Sequence, residues 1–285
     1  MSDRYDRQVR LFGSEGQARI QAANVALLGT GGNGMHVVQQ LAYAGVTNWT
    51  FVEFDETSES NLNRLVTATP ADVGRPKIDV AFRLVTSLHP GSQPTMIQGR
   101  IGDPEITEAL NQALATATLA IGCFDLETPR LEAVKACSRA GVPYLDLASE
   151  ILPSKVGAVY GGRVVFTHDG TGCLVCLGVI DMAELAREGM TGSQGVERNR
   201  MYGLGAEDLG DSGPSVITIN GVVASLACTE ALVFLTGLRA PARQLIYDGN
   251  ASVVRKNMTC GDRDCLYCYQ WRQPRAEAAA DRDSA

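Results

Sequence analysis

Three groups of residues have the types and spacing to do chemistry. The first is a glycine-rich run, Val25-Ala-Leu-Leu-Gly29-Thr-Gly31-Gly32-Asn-Gly34. Glycines there permit a tight turn and let backbone N–H groups approach a phosphate at the positive end of a following helix. The second is cationic: Arg64, in Ser60-Asn61-Leu62-Asn63-Arg64, and Lys77, after Gly74-Arg75-Pro76. The third is a set of thiols, Cys173-x-x-Cys176 and Cys265-x-x-Cys268. Two such pairs have the spacing of a tetrahedral structural Zn²⁺ site that staples distant segments together. Redox use of either pair needs a thioredoxin-like setting that neither has. Cys260 is an extra thiol whose wider spacing to Cys265 makes it the weaker ligand.

The elements that must position these groups alternate strand and helix through the first half. Asn24–Leu28 reads as a strand running into a helix over Gly34–Ala44, and Trp49–Phe54 as the next strand. Lys77–Leu88 carries Ile78, Val80, Ala81, Leu84, Val85 and Leu88 at helical spacing. Thr118–Gly122 reads as a strand, Glu127–Ala140 as a helix stopped by Gly141, and Pro143–Leu147 as a strand. This order predicts an α/β, Rossmann-like and mostly parallel sheet with helices on both faces. In the second half, Val156–Tyr160 and Arg163–Thr167 flank Gly161–Gly162, a hairpin signal that predicts antiparallel strands. Val216–Leu235 is an apolar helix, and Leu245–Tyr247 with Ser252–Arg255 form a closing strand pair.

A glycine loop between strand and helix suits NAD and ATP equally. Glu53, closing the next strand, stands where an acid would bind a ribose hydroxyl. Arg64 and Lys77 separate the two nucleotides. Each alone would be an ordinary solvated surface charge, but together after such a loop they match the higher charge of a triphosphate, Arg with bidentate geometry.

With those residues in place, a family resemblance emerges. Gly29–Gly34, Glu53-Phe54-Asp55, Ser60–Arg64 and Pro76-Lys77 resemble the MoeB/ThiF/HesA family of adenylating enzymes that activate ubiquitin-like proteins. Arg4-Tyr5-Asp6-Arg7-Gln8 is similar to the start of that family, Phe124-Asp125 to its metal-binding aspartate, and Val222–Ala231 to its late helix. The resemblance implies that Gly29, Gly31, Gly32, Gly34, Glu53 and Asp55 frame ATP, with Glu53 on the ribose. It implies that Asn61, Arg64 and Lys77 meet phosphates, that Asp125 holds Mg²⁺, and that Arg7 reaches the triphosphate of the partner in a homodimer. Most of that family carries Asp where this chain has Glu53. The family also holds zinc with two CxxC pairs. It implies one adenylation domain over residues 1–270, with a nucleotide part at about 20–150 and a substrate and zinc part at about 151–270; the composition of the tail, 271–285, reads as disordered.

The substrate implied is the C-terminal carboxylate of a small ubiquitin-like carrier protein, or of a peptide, converted to an acyl-adenylate for sulfur transfer or conjugation. Many members use a cysteine after the first CxxC for thioester or sulfur chemistry. Leu177–Ala227 contains none, so a thioester on this chain is not expected. Cys123, Cys137 and Cys228 stand alone in apolar surroundings and read as core. The glycine-rich stretch 186–215 reads as a lid over the carrier's tail. Its Arg187, Arg198 and Arg200 are candidates for a carboxylate, although solvated loop charge is the plainer reading. His89 and His168 receive no role.

Composition removes other classes. A net charge of −7 without basic runs argues against nucleic acid and against an anionic membrane surface. No apolar run approaches the roughly 18–20 residues of a membrane span, and the charged start is unlike a signal peptide, which makes the cytoplasm the default compartment. Rival readings are a peptide-modifying enzyme of the microcin-maturing type, an NAD-dependent oxidoreductase, and a scaffold without activity.

Overall fold

Strands buried on both faces must be apolar along their buried length, and β1 (Asn24–Leu28), after its part-buried first residue, and β4 (Leu119–Gly122) meet that demand. They lie side by side at the centre of one sheet ordered β3-β2-β1-β4-β5-β6-β7-β8. The computed structural model describes residues 3–154, 157–170, 172–189, 214–257, 261–262 and 264–271. β2 (Asn48–Glu53), β3 (Thr95–Gln98), β1, β4 and β5 (Tyr144–Ser154) pair in parallel. β6 (Gly157–Thr167), β7 (Gln244–Asp248) and β8 (Val253–Asn257) continue the sheet antiparallel.

Alternate residues of these strands feed two cores. Val25, Leu27, Phe51, Ile121 and Leu145 face α2 (Gly32–Ala44), α3 (Lys77–Leu88) and α7 (Ile217–Thr236). Ala26, Leu28, Val52, Ala120 and Tyr144 face α4 (Pro104–Thr116), α5 (Glu127–Ala140) and α8 (Leu266–Trp271). α1 (Asp6–Ala22), broken at Gly13, packs on α7, and Gly16 lets it approach Thr236. α6 (Met182–Glu188) is capped by Asp181, whose carboxylate accepts from Ala183 and Glu184. By length and composition α7 would pass for a membrane span, contrary to the expectation that no apolar run reaches that length. It is instead a core helix, with Val223, Ala224, Ala227, Cys228 and Ala231 buried against α2 and the sheet.

The hairpin expected at Gly161–Gly162 is corrected. Both glycines lie inside β6, paired with Glu150 and Ser149 of β5 and with Asp248 and Tyr247 of β7. A Cβ on Gly161 would strike the Tyr247 carbonyl, and one on Gly162 would strike Val223 and the Ala148 carbonyl. These glycines serve close approach of neighbouring chain rather than a turn. β5 likewise runs to Ser154, well past the expected Leu147. Of the expected lid, residues 190–213 lie outside the described residues, as do Arg198, Arg200, Cys260 and the tail from 272.

Candidate functional site

Strand order reverses between β1 and β4, and the crevice outside their C-terminal ends is where open α/β sheets take ligands. The glycine loop leaves β1 at that point. Gly29 adopts φ +96°, and a Cβ on it would lie 2.7 Å from the Cys123 carbonyl. A Cβ on Gly34 would strike the Gly29 carbonyl, so the turn closes tightly on α2. Nothing lies within 4 Å of the Cβ direction of Gly31. No side chain caps the start of α2, so its leading N–H groups and the positive end of its dipole are available to an anion.

Arg64 and Asn220 close over this loop. A Cβ on Gly32 would sit 3.5 Å from Cγ and Cδ of Arg64 and 2.5 Å from Nδ2 of Asn220. Arg64 is held by its Nη1 donating to the Ser60 carbonyl (2.6 Å) and to Oδ1 of Asn63 (3.2 Å). Asn61, buried, accepts from the Ser58 N–H through Oδ1, which leaves its amide N–H groups to donate. The segments after β2 and before α3 are laced together by Thr57 N–H to Arg75 O and Gly74 N–H to Thr57 O. That lacing sets Lys77, at the start of α3, against Asp55: Nζ to Oδ2 is 2.7 Å, and the backbone N–H of Lys77 donates to the Asp55 carbonyl.

Glu53 is buried at the end of β2, and its carboxylate turns inward. Oε2 accepts from the N–H (2.7 Å) and hydroxyl (3.1 Å) of Thr30, and Oε1 from the N–H groups of Phe54 (2.9 Å) and Asp55 (3.0 Å). Asp125 is exposed just beyond β4, beside Cys123 and the glycine loop. The structure thus ties the glycine loop to Glu53 through Thr30 and to Arg64 at Gly32, and ties Glu53 to the turn whose Asp55 pairs with Lys77, while Asp125 follows β4, the strand beside β1. It does not bring Arg7 to the loop. Tyr5 packs on Gly45 and Arg4 donates to the Leu88 carbonyl, so α1 begins at the far ends of α2 and α3. The 13 residues of α2 put about 20 Å between those ends and the loop.

Sequence reasoning missed two sets of residues. Asn33, Ser149 and Asn220 form a chain across the crevice: Asn33 Nδ2 donates to Ser149 Oγ (3.2 Å), which donates to Asn220 Oδ1 (2.7 Å). Asn220 in turn donates to Ser215. A lone Asn in so apolar a helix was the available signal, because a buried amide must find partners. The second set lies under Asp125. Arg130, buried, donates to the Phe124 carbonyl and to Glu127 Oε1 (3.0 Å), with Asp146 Oδ1 at 3.5 Å from its Nε. Burial would lower the Arg130 pKa, but Asp146 and Glu127 outweigh it and hold the group above its ordinary value. Burial pushes the Glu127 carboxyl up and the Arg163 guanidinium down.

The four cysteines of the two CxxC pairs converge, with all four sulfurs within 4.8 Å of one another. Cys173 lies 3.8 Å from Cys176 and 3.7 Å from Cys265, and Cys176 lies 3.6 Å from Cys268. Zn–S bonds of about 2.3 Å in a tetrahedron require sulfurs about 3.8 Å apart, so this donor set fits a zinc ion. The neighbouring Cys268 thiol draws the Cys173 pKa down, while Cys173 and burial push that of Cys268 up. Cys123, Cys137 and Cys228 are buried, and burial raises each thiol pKa, so none is a ready nucleophile. Arg187 is exposed and paired with Glu184 (2.7 Å), the arrangement of a solvated helix face. His89 donates through Nε2 to the Ala42 carbonyl (2.8 Å), and His168 packs near Phe166 and Phe234.

The ThiF family model matches residues 5–268. The molybdopterin-synthase adenylyltransferase of Escherichia coli (strain K12) is 29% identical over 272 residues, 94% of this chain and 96% of that protein. The sulfur carrier protein ThiS adenylyltransferase of the same strain is 31% identical over 270 residues, 93% of this chain and 94% of that protein. The crystal structure of E. coli MccB with MccA-N7isoASN matches with a TM-score of 0.71 at 20% identity, covering 93% of this chain and 74% of that chain. At that identity the likeness is one of fold.

Proposed function

The chain belongs to the ThiF family, and from that premise we propose that it is an ATP-dependent adenylyltransferase acting on the C-terminal carboxylate of a small ubiquitin-like carrier. The observation that carries this reading is the closure of Arg64 over Gly32 with Lys77 seated beside Asp55. One cation at the positive end of α2 and a second at the start of α3 suit a triphosphate better than a dinucleotide pyrophosphate. Full-length relatives named adenylyltransferases support it.

In the proposed reaction the carrier carboxylate, already ionised at neutral pH, attacks the α-phosphorus of ATP. The new bond joins carboxylate oxygen to that phosphorus, and the bond to the bridging oxygen breaks to release pyrophosphate. Arg64 and Lys77 stabilise the charge gathering on the leaving group, and Asn61 donates to a phosphate oxygen. Asp125 would hold Mg²⁺, which neutralises phosphate charge when bound. Arg7, remote from its own glycine loop, serves the nucleotide of the partner in a homodimer. Cys173, Cys176, Cys265 and Cys268 would hold a structural Zn²⁺, pinning α8 beside the loop after β6. We assign nucleotide binding to about 20–150 and the carrier and zinc to about 151–270 of one adenylation domain, working in the cytoplasm without nucleic acid or membrane.

The test is carrier-dependent ATP–pyrophosphate exchange, with intact-mass detection of the adenylate. Lys77→Ala and Asp125→Ala should each lower exchange by roughly 10²–10³. Absence of exchange with every carrier tail tried would sink the reading; a chain without exchange whose cellular function is untouched by both substitutions would be a scaffold, and full exchange in both variants would remove Lys77 and Asp125 from the catalytic assignment. A second reading, adenylation of a short peptide, is favoured by one observation: no cysteine lies between Leu177 and Ala227 to receive an acyl group. Exchange with a free peptide but no ubiquitin-like protein would select it.

A further inference from the structure

An acid at the end of the second strand of a nucleotide-binding α/β sheet ordinarily accepts from ribose hydroxyls. To do so it needs a free lone pair. An ionised carboxylate offers about four acceptor positions on its two oxygens. In Glu53 four protein donors already fill them: the N–H and hydroxyl of Thr30 on Oε2, and the N–H groups of Phe54 and Asp55 on Oε1. The side chain is 7% exposed, so water does not compete for these bonds. The length of Glu makes this possible. One more methylene than Asp lets the carboxylate fold back onto its own following N–H groups while still touching the glycine loop.

We propose that Glu53 is a positioning residue that ties the glycine loop to the turn bearing Asp55, and that it does not read the ribose. This rests on the assignment of ATP as the nucleotide. The consequence is relaxed sugar specificity: the site takes adenosine, 2′-deoxyadenosine and 3′-deoxyadenosine triphosphates almost alike. Its demand falls on the phosphates, through the loop, Arg64 and Lys77. Through Asp55, which accepts from Lys77 at 2.7 Å, the acid also sets where the phosphate-binding ammonium stands.

The experiment is calorimetric titration of the full chain, with Mg²⁺ present, by ATP, 2′-deoxy-ATP and 3′-deoxy-ATP. The three dissociation constants should agree within about threefold. In Glu53→Gln, two of the four donors lose their acceptor, so all three nucleotides should weaken by the same factor. In Thr30→Ala, one lone pair of Oε2 and the space beside it are freed. Preference for ATP over the deoxy analogues should then rise about fivefold, a change that loss of structure alone would not produce. If the native chain prefers ATP over either analogue by tenfold or more, or if Glu53→Gln weakens ATP alone, the inference is overturned while the ATP reading stands. No binding of any of the three would overturn both.

Discussion

Two buried acids flank the glycine loop, Glu53 on β2 and Asp146 on β5, and they are furnished in opposite ways. Glu53 takes four hydrogen bonds, three from backbone N–H groups and one from a hydroxyl. Asp146, fully buried opposite Gly122, takes one bond from Tyr144 (3.2 Å) and faces Arg130 at 3.5 Å, and its Oδ2 has no partner among the described residues. Arg130 Nε, Arg163 Nε and Glu127 Oε2 share that condition. Glu53 therefore works as a hydrogen-bond hub that fixes backbone. Asp146 works as a countercharge that offsets the burial of the Arg130 guanidinium where it donates to the Phe124 carbonyl, next to Asp125. The hub completes its shape before any ligand arrives, whereas the charged cluster depends on balance among side chains from α5, β5 and β6.

The sharpest way to break this contrast is Asp146→Ala. Removing one partner of a buried charge pair leaves the other uncompensated, at a cost of about 3–5 kcal/mol. Denaturant unfolding should show that loss. Replacing both partners, Asp146→Leu with Arg130→Met, should restore most of it, because the desolvation cost of both charges disappears. A loss below ~1 kcal/mol for the single variant would mean that Asp146 is no countercharge.

Glu53→Gln should cost less, about 1–3 kcal/mol, since the neutral amide keeps one acceptor oxygen and strands only part of its donors. The same unfolding measurement ranks the two sites. A Glu53→Gln loss larger than that of Asp146→Ala would reverse the assignment of hub and countercharge.

The two centres were also unequally legible. The glycine loop could be read because tight turns and phosphate approach leave few residue choices, and α3 because its apolar residues keep one helical face. The CxxC pairs were legible because metal geometry constrains spacing. Glu53 was visible as an acid in the right place, but its saturation depends on Thr30 and on side-chain length, which no pattern encodes. Arg130 and Asp146 could not be paired from sequence: each looks like a surface charge until the register Gly122↔Asp146 and the packing of α5 bring them together. Gly161–Gly162 misled for a related reason. A glycine admitted for close approach and one admitted for a turn are the same letter, and only the neighbouring strands distinguish them. α1 gave little signal because it is charged around most of its surface and broken at Gly13. α4 carried Ile106, Leu110 and Leu114 at helical spacing after Asp103-Pro104, a start signal that could have been used.

A third buried acid separates hub from countercharge within one side chain. Asp72 accepts from the Thr69 N–H (2.7 Å) and hydroxyl (2.9 Å), as a hub would, and from Arg83 through both oxygens, at 2.5 and 2.8 Å. Hydrogen bonding from Arg83 is the largest cause holding its carboxyl well below the usual range, against burial, which raises it. A depressed folded pKa means that the unfolded chain binds the proton more readily. The stabilisation is therefore complete above the unfolded value of ~3.9 and is lost as pH falls toward the folded one. Arg83 is half exposed, so water screens the pair and the effect is small. Arg83→Met should cost about 1 kcal/mol at pH 7. That cost should shrink as pH falls below ~4, where protonation favours the unfolded chain of the native protein. Unfolding midpoints of both proteins at neutral and acidic pH check it. A cost that stays constant into acid would mean that Arg83 contributes packing alone, and that Asp72 is a hub held by Thr69.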